Sequence, residues 1–390
     1  MGSSKDQVLC NLKPARKAKG LSQVELAARV GVKRQAVYDM ESQRYVPNTA
    51  LALRLAKELD CRVEDLFALD ESENELTLML DEEINPADSR VSLFRVRQRL
   101  ISYPLDNKWL LSDGFRAADG LLKPDGRSVT LLQTEDYLEK SALLLGCDPA
   151  FAILSAHVAR KTKEAGVHCR FASSHGAVAA LAAGRAHAAG THLHNAGTSE
   201  SNLALAEKLV PGTKVVVFAF SIFEEGLMVA PGNPCGIRSV ADLADGRIRL
   251  VNREPGAALR VLLDDCLVRA GIPAEIINGY DSLAGSHVQG AQMVTFGLAD
   301  AALGLKAVAA AYGLDFVPIQ AVRCDLVIPA DLLDHPGIKV VLDVLQTHSL
   351  RRELAALPGY ESSCTGQIIG GVGCERPQNS LFRLSPNGAL

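Results

Sequence analysis

The stretch Ser22–Glu41, SQVELAARVGVKRQAVYDME, restricts the fold of this chain more tightly than any other. Ser22 and Glu25 form a capping-box pair, in which hydroxyl and carboxylate satisfy opposite orphan backbone amides, so a helix is predicted to begin at Gln23. Val24, Leu26, Ala27 and Val30 give it an apolar face. Gly31 supplies the left-handed residue that ends it before Val32. A second helix is expected from about Lys33 to Glu41, with Ala36, Val37 and Met40 at core spacing and Arg34, Gln35, Tyr38 and Asp39 turned outward.

Further helices flank this pair. Val8–Lys19 reads as a first helix with Leu12 and Ala15 inward and Lys13, Arg16 and Lys17 outward. Pro14 puts its firm part from about residue 13, since proline is tolerated in a first turn and not in the interior. Asn48 caps a fourth helix through Leu59, with Leu51, Leu53, Leu55 and Ala56 partly buried, and Val63–Leu69 makes a fifth. Residues 1–69 hold 12 Lys and Arg against 8 Asp and Glu, and the remainder 29 against 37, so a head of +4 precedes a body of −8. A basic head suits a phosphate backbone.

Five short helices, with SQ opening the second and GV preceding the third, resemble the lambda-repressor/Cro-like helix-turn-helix family over residues 8–69. The resemblance implies sequence-specific binding of double-stranded operator DNA with the third helix in the major groove. Arg34 and Gln35 are the expected base readers, because arginine donates two bonds to guanine and glutamine pairs with adenine. Gln23, Lys33 and Arg44 are the expected phosphate contacts. Tyr38 shares the outward face, where it touches DNA or packs on the surface.

The 390 residues are 48% hydrophobic and 22% charged, enough for two or three domains with proper cores. Met1–Gln7 lacks an apolar signal region and no run of about 18 uncharged apolar residues occurs, so neither export nor a membrane span is expected and the protein reads as cytoplasmic. Nine cysteines from Cys10 to Cys374, without a CxxC pair, suit free thiols in a reducing compartment.

Residues 70–89 are an acidic linker, with seven carboxylates between Asp70 and Glu83. Leu76, Leu78, Met79 and Leu80 would allow a dimerisation helix there, but the charge density favours a solvated hinge. Residues 90–133 alternate short runs such as VSLFRV with turn signals at Pro104, Asp113-Gly114, Asp119-Gly120 and Asp125-Gly126, which predicts a β-rich connector. From 134 to 375 strands alternate with helices. SALLLGC precedes a helix opened by Asp148-Pro149, VHCRFA precedes one opened by SSHG, and AHAAGTHL, KVVVFAF and GLMVAP follow; RIRLVN leads to a helix from Gly256, AALGL to another, then FVPIQ and CDLVIP. A mostly parallel sheet is expected, with ligand groups at the carboxyl ends of its strands. CTGQIIGGVGC, Cys364–Cys374, reads as flexible and is no nucleotide fingerprint. Residues 376–390 form a tail.

The strings LLLGCDPAFAILSAH, SSHGAVAALAAGRAHAAGTHL, EEGLMVAPGNPCGI, LVNREPGAALRVLLDD, INGY, GLADAALGLKAVAAAYGLDFVPI and LPGY resemble, over about residues 140–366, a periodic set known from one family. It is the periplasmic-binding-protein-like (type II, molybdate-binding-related) ligand-sensing domain that recurs fused to helix-turn-helix heads. Relatives are associated with molybdate or tungstate uptake and with molybdenum-cofactor biosynthesis. The fold class implied is α + α/β: a five-helix head, a β-rich connector and two α/β lobes closing on a small ligand. Such a ligand, commonly an anion, is held by hydroxyls and by amides at helix N-termini.

Asp148, Ser173 and Ser174 open two of these helices, and Arg253 to Gly256 precede a third. The serines are expected to touch ligand beyond simple capping, and Arg253 either touches ligand or pairs with Glu254. Arg260 adds charge, His192 and His287 donate hydrogen bonds, and Tyr280 covers the site. One departure matters. Relatives linked with molybdate carry a Gly-Ser-Gly-Thr run where this chain has Gly256-Ala257-Ala258-Leu259 before Arg260, so molybdate stands beside organic acids and cofactor fragments as a candidate effector.

THLHN sets His192 and His194 on one face of an extended chain, where imidazoles at i, i+2 can bind a transition metal. With Cys169, Cys235 and Cys324, a metal- or thiol-responsive regulator is the alternative function, although no third ligand has diagnostic spacing. A constitutive DNA-binding protein with a structural rear domain is a further one. No GxSxG, HExxH, Walker loop or kinase set occurs, and Ser173, His175 and Asp148 imitate a hydrolase only by coincidence, so neither an enzyme nor a cofactor is expected. The sequence reads as a one-component transcription regulator, homodimeric because a single small head reads only a half-site. Its expected partners are operator DNA and a small effector, and not a membrane.

Overall fold

The computed structural model describes residues 8–42, 44–69, 90–105, 116–123, 128–194, 201–210 and 212–372. The acidic stretch 70–89 with its candidate dimerisation helix, Cys374 and the tail 376–390 lie outside them. Two compact units divide the chain, Met1–Glu75 and Leu76–Leu390.

The first unit runs from β1 (Val8–Cys10) through α1 (Leu12–Ala18), α2 (Gln23–Val30), α3 (Arg34–Glu41), α4 (Thr49–Leu59) and α5 (Val63–Leu66) to β2 (Phe67–Leu69). The capping box forms: Glu25 N donates to Ser22 Oγ at 3.2 Å and Ser22 N to Glu25 Oε2 at 2.7 Å. Gly31 adopts φ 72° and ends α2. Asn48 accepts from Leu51 N at 3.0 Å and starts α4. Leu12, Leu26, Val37, Met40, Leu55 and Leu66 are fully buried between the helices.

Several expectations change. The outer ends of the expected first and fifth helices are strands: β1 and β2 pair antiparallel, Val8 opposite Leu69, which satisfies backbone groups that frayed helix ends would leave open. Val24 and Leu53, counted to apolar faces, are exposed. Arg16, placed outside, is buried. Its Nε and Nη2 donate to the Glu41 carboxylate at 2.6 and 3.1 Å and its Nη1 to the Leu21 carbonyl at 2.6 Å, so its charge is matched inside the head.

The second unit opens with an antiparallel sheet of β3 (Arg90–Val96), β4 (Arg99–Pro104), β5 (Gly120–Leu122) and β6 (Val129–Leu131), in the order β4-β3-β5-β6. Phe94, Val96 and Ile101 share a core with Leu143, Val178 and Val217, so this sheet is packed into the α/β body. After α6 (Glu135–Lys140) come β7 (Ala142–Leu145), α7 (Phe151–Lys161), β8 (Val167–Arg170), α8 (Ser174–Ala182), β9 (Ala188–Thr191) and α9 (Ser201–Leu209). Parallel pairing of β7 with β8 and β9 makes one lobe.

The long strand β10 (Val215–Val229) leads to the other lobe: β11 (Leu250–Arg253), α10 (Ala258–Ala270), β12 (Leu283–Ala284), α11 (His287–Thr295), β13 (Ala301–Leu305) and α12 (Lys306–Ala311), with β11 parallel to β12 and β13. β14 (Asp315–Pro329) returns to the first lobe. KVVVFAF with GLMVAP, and FVPIQ with CDLVIP, are thus two continuous strands and not four. They pair antiparallel over their whole length, which corrects the mostly parallel sheet: each lobe is parallel at its outer strands and shares an antiparallel spine. Two strands that leave one lobe for the other and come back must run in opposite directions.

The spine is irregular where the lobes meet. Its register shifts between Glu225 and Gly226, and a Cβ on Gly226 would lie 2.2 Å from the Val317 carbonyl oxygen. Such a bulge re-aims the neighbouring side chain. α13 (Pro336–Leu345), α14 (His348–Ala355), β15 (Tyr360–Glu361) and β16 (Ile368–Val372) complete the unit. β16 pairs with Val215–Phe218, so the glycine-rich stretch read as flexible is fixed by main-chain hydrogen bonds that need no side chains.

Candidate functional site

In the head, α3 presents Arg34, Gln35 and Tyr38 to solvent, with Lys33 at its N-cap and Arg44 beyond its end, all exposed. Gln35 Nε2 donates to Asp39 Oδ1 at 2.9 Å, one turn on, a bond that an adenine edge can replace. Gln23 differs. Half-buried, it donates one of its two amide hydrogens to Glu41 Oε2 at 2.8 Å and braces the Arg16 pair.

In the second unit a chamber lies where the lobes face each other. Cys147, Ser173, Ser174 and His192 line it from the first lobe, and Arg253, Ala257, Ala258, Leu259 and His287 from the second. Each follows a strand's carboxyl end: Cys147 after β7, Ser173 after β8, His192 after β9, Arg253 at the end of β11 and His287 after β12. The chamber measures about 10 Å³, room for roughly one water, so a larger ligand enters only when the lobes part. A second cavity of about 500 Å³ lies along β8 and α7 and shares Cys147 and His287 with it.

The hydroxyls divide their work. Ser173 Oγ accepts from Gly176 N at 3.3 Å and caps α8, and Ser174 Oγ accepts from His192 N at 3.1 Å. Each hydroxyl keeps its own proton to donate. Arg253 is buried, with Nε and Nη2 each 3.1 Å from the half-exposed Glu254 carboxylate and Nη1 3.4 Å from His287 Nδ1. Among the described residues His287 Nε2 has no hydrogen-bond partner, and burial, then the nearby Arg253 charge, holds this imidazole well below its usual value and so neutral.

Behind the chamber sits Glu225, on β10 opposite the register shift that leaves Ile319 of β14 unpaired, and fully buried. Its Oε1 is 3.2 Å from His192 Nε2 and its Oε2 3.1 Å from His194 Nε2, ion-pair distances without hydrogen-bond alignment. Burial lowers both imidazoles. At His192 the Cys147 sulfur and the Glu225 carboxylate outweigh that effect and raise it well above its usual value, whereas His194 stays lowered. Glu225 therefore faces one charged ring and one neutral ring.

Three of the expected ligand residues are engaged elsewhere. Asp148 accepts from Ala150 N at 2.8 Å, Tyr360 Oη at 2.6 Å and Ser221 Oγ at 2.9 Å, which ties the β7 loop to the spine. Arg260 pairs with Asp264 at 3.1 Å and stacks 4.0 Å over Tyr280, whose hydroxyl donates to the same Asp264 at 2.7 Å. Neither Arg260, Tyr280 nor Gly256 lines the chamber; Gly256 makes the φ 86° turn that leads into α10. Cys147 and Glu225 were not expected there. Cys147 ends the string SALLLGC, the position that collects ligand groups, and could have been read from it. Among the described residues no group of three His, Cys, Asp or Glu is arranged to hold a metal ion, which leaves the metal-responsive alternative without a site there. The donors string out along His192 and Glu225 and do not converge.

Residues 12–66 match the helix-turn-helix family model. An uncharacterized HTH-type transcriptional regulator of Methanothermobacter thermautotrophicus is 51% identical over 57 residues, 14% of this chain and 83% of the relative. The chain belongs to the helix-turn-helix transcriptional regulators. Residues 155–346 of this regulator match the PBP superfamily domain. The uncharacterized protein YvgK of Bacillus subtilis is 28% identical over 248 residues, 63% of the regulator and 75% of YvgK. Among solved structures, the sulfate-binding protein SubI from Mycobacterium tuberculosis covers 57% of the regulator and is itself covered to 86%, with TM-score 0.43 and 16% identity. No described helix of the regulator is long and apolar enough to cross a membrane.

Proposed function

We propose that this regulator is a cytoplasmic one-component system whose head reads operator DNA and whose rear cleft senses a small anion. The observation that supports the sensor most is the convergence of Ser173, Ser174 and His192 from one lobe with Arg253 and His287 from the other in a single chamber. The first turn of α8 offers amides where the helix dipole favours negative charge, and Arg253 adds a buried cation. Lobes that must part to admit a ligand have two arrangements, and a ligand with unequal affinity for them shifts the balance. Ala257, Ala258 and Leu259 line the cleft with methyl groups where a tetrahedral oxyanion would need donors, which favours a small organic acid over molybdate or tungstate.

On the DNA side, Arg34 and Gln35 read bases, Lys33 and Arg44 hold phosphates and Tyr38 lies against the backbone. Two copies related by a twofold axis span a palindrome. Selection of bound duplexes from a random library by the full-length protein is expected to enrich a palindrome. Small anions should then change affinity for that duplex by about fivefold or more. Absence of any enriched sequence refutes the reading of the head. Enrichment without a response to molybdate, tungstate, phosphate or dicarboxylates refutes the sensor.

A further inference from the structure

Two thiols near the cleft, the half-buried Cys169 and the buried Cys324, are inert by their surroundings. Burial pushes Cys169 up to about 12 and Cys324 well above the usual thiol range. Cys147 has different neighbours. Its Sγ stands 3.1 Å from His192 Nδ1, while the opposite ring nitrogen, Nε2, is 3.2 Å from Glu225 Oε1. A thiol, an imidazole contacted on both nitrogens and a carboxylate behind it form the order of groups that activates a nucleophile. The titratable groups around this line include Arg253 across the chamber, Arg116 and Arg170 in the cavity that Cys147 also lines, the neutral His194 on the far oxygen of Glu225, and Asp148, whose carboxyl is taken by Ala150, Ser221 and Tyr360. Cys147 is 7% exposed, yet it also lines the 500 Å³ cavity, wide enough for small organic molecules to reach the sulfur.

We propose that Cys147, with His192 as base and Glu225 as the orienting carboxylate, is a nucleophilic thiol and a covalent modification site for small electrophiles that bear an acidic group. The proton that makes His192 the charged ring is the one given up by the thiol, and the sulfur attacks an electrophilic carbon. With a haloacid the new carbon–sulfur bond forms as the carbon–halogen bond breaks, and halide leaves with the electron pair. With an α,β-unsaturated acid the sulfur adds to the β-carbon, the double bond opens, and the α-carbon takes the proton back from His192. Neither route needs an oxidant or a reductant. The acid preference rests on the anion reading of the cleft, through Arg253; the nucleophilicity of Cys147 does not.

The test is alkylation of the full-length protein at neutral pH by iodoacetate and by iodoacetamide, with each cysteine followed by peptide mass spectrometry. An ordinary cysteine is only a few per cent thiolate at pH 7. A thiol in contact with an imidazole backed by a carboxylate reacts faster than one without such neighbours, so Cys147 should react about tenfold faster than the exposed Cys235. Iodoacetate should outpace iodoacetamide at Cys147 and show no such preference at Cys235. His192→Gln and Glu225→Gln should each slow Cys147 and leave Cys235 unchanged. Circular dichroism establishes that the variants fold, and if one does not, the other carries the comparison together with the rate ratio in the unaltered protein. Cys147 reacting no faster than Cys235, or at an unchanged rate in a folded variant, overturns the nucleophile. A fast Cys147 with equal or greater preference for iodoacetamide overturns the acid preference and the anion reading with it.

Discussion

Both units bury charge, and they do so in opposite ways. In the head, Arg16 and Glu41 meet in a two-pronged pair at 2.6 and 3.1 Å, with Gln23 and the Leu21 carbonyl taking up further bonding capacity. In the rear unit, among the described residues, Glu225 lies between two imidazoles without an aligned hydrogen bond and His287 Nε2 has no hydrogen-bond partner. A closed network gains rigidity from its hydrogen bonds, whereas buried groups left under-satisfied cost free energy unless something else meets them. The difference assigns structure to the first cluster and reactivity or recognition to the second.

The largest expected effect tests the closed pair. Arg16→Met leaves Glu41 buried and uncompensated, and should lower the head's stability in urea by about 3–5 kcal/mol. Glu225→Gln leaves the charged His192 ring without its carboxylate but removes a buried group that lacks an aligned hydrogen bond, and should cost about 1–3 kcal/mol, less than Arg16→Met; equal losses would erase the contrast.

His192 sharpens it through pH. A histidine whose folded pKa is raised above the unfolded value near 6.5 contributes stability that is fully present below about pH 6.5 and lost as pH rises through the raised value. His192→Gln should therefore destabilise by about 1–3 kcal/mol at pH 6 and progressively less in alkaline melts. His187 runs the other way. Burial, then neighbouring His335, depresses it to about 3, and its Nδ1 accepts from Leu143 N at 3.0 Å. Its contribution is intact above about pH 6.5 and is lost as pH falls towards 3, so unfolding should become easier across that interval.

Smaller effects belong to groups outside both clusters. Arg34→Ala should cost about 1–3 kcal/mol on the preferred duplex and relax base preference at one position. An equal loss on every sequence would mark Arg34 as a phosphate contact. Arg260 is largely covered, and Arg260→Ala should cost about 1–2 kcal/mol of stability through the lost Asp264 pair and Tyr280 contact while leaving the anion response intact.

The head was legible because its determinants are local. Ser22, Glu25, Gly31 and Asn48 act within a turn or two of chain, and each does in the structure what its spacing implies. Arg16 was misplaced because its partner is 25 residues away. The α/β rhythm was legible for the same local reason, but the union of KVVVFAF with GLMVAP into one strand depends on pairing with β14 a hundred residues on. At the cleft, the strand-end rule pointed to Ser173, His192, Arg253 and His287, and these four line one chamber. Glu225 was invisible because its nearness to His192 and His194 depends on the pairing of β10 with β14 about a hundred residues on, where the register shifts beside it. Arg260 and Tyr280 failed for a related reason: on α10 and its neighbouring loop, Asp264 one helical turn away captures both.

Calorimetric titration of the full-length protein and of Arg253→Ala with small carboxylic acids, phosphate, molybdate and tungstate tests the account most directly. One anion should bind per chain, and Arg253→Ala should weaken it by about 10-fold to 100-fold, the loss of a hydrogen bond to a charged group. An anion that binds both proteins equally, or no binding by any of them, would contradict the assignment of this cleft as the regulator's input.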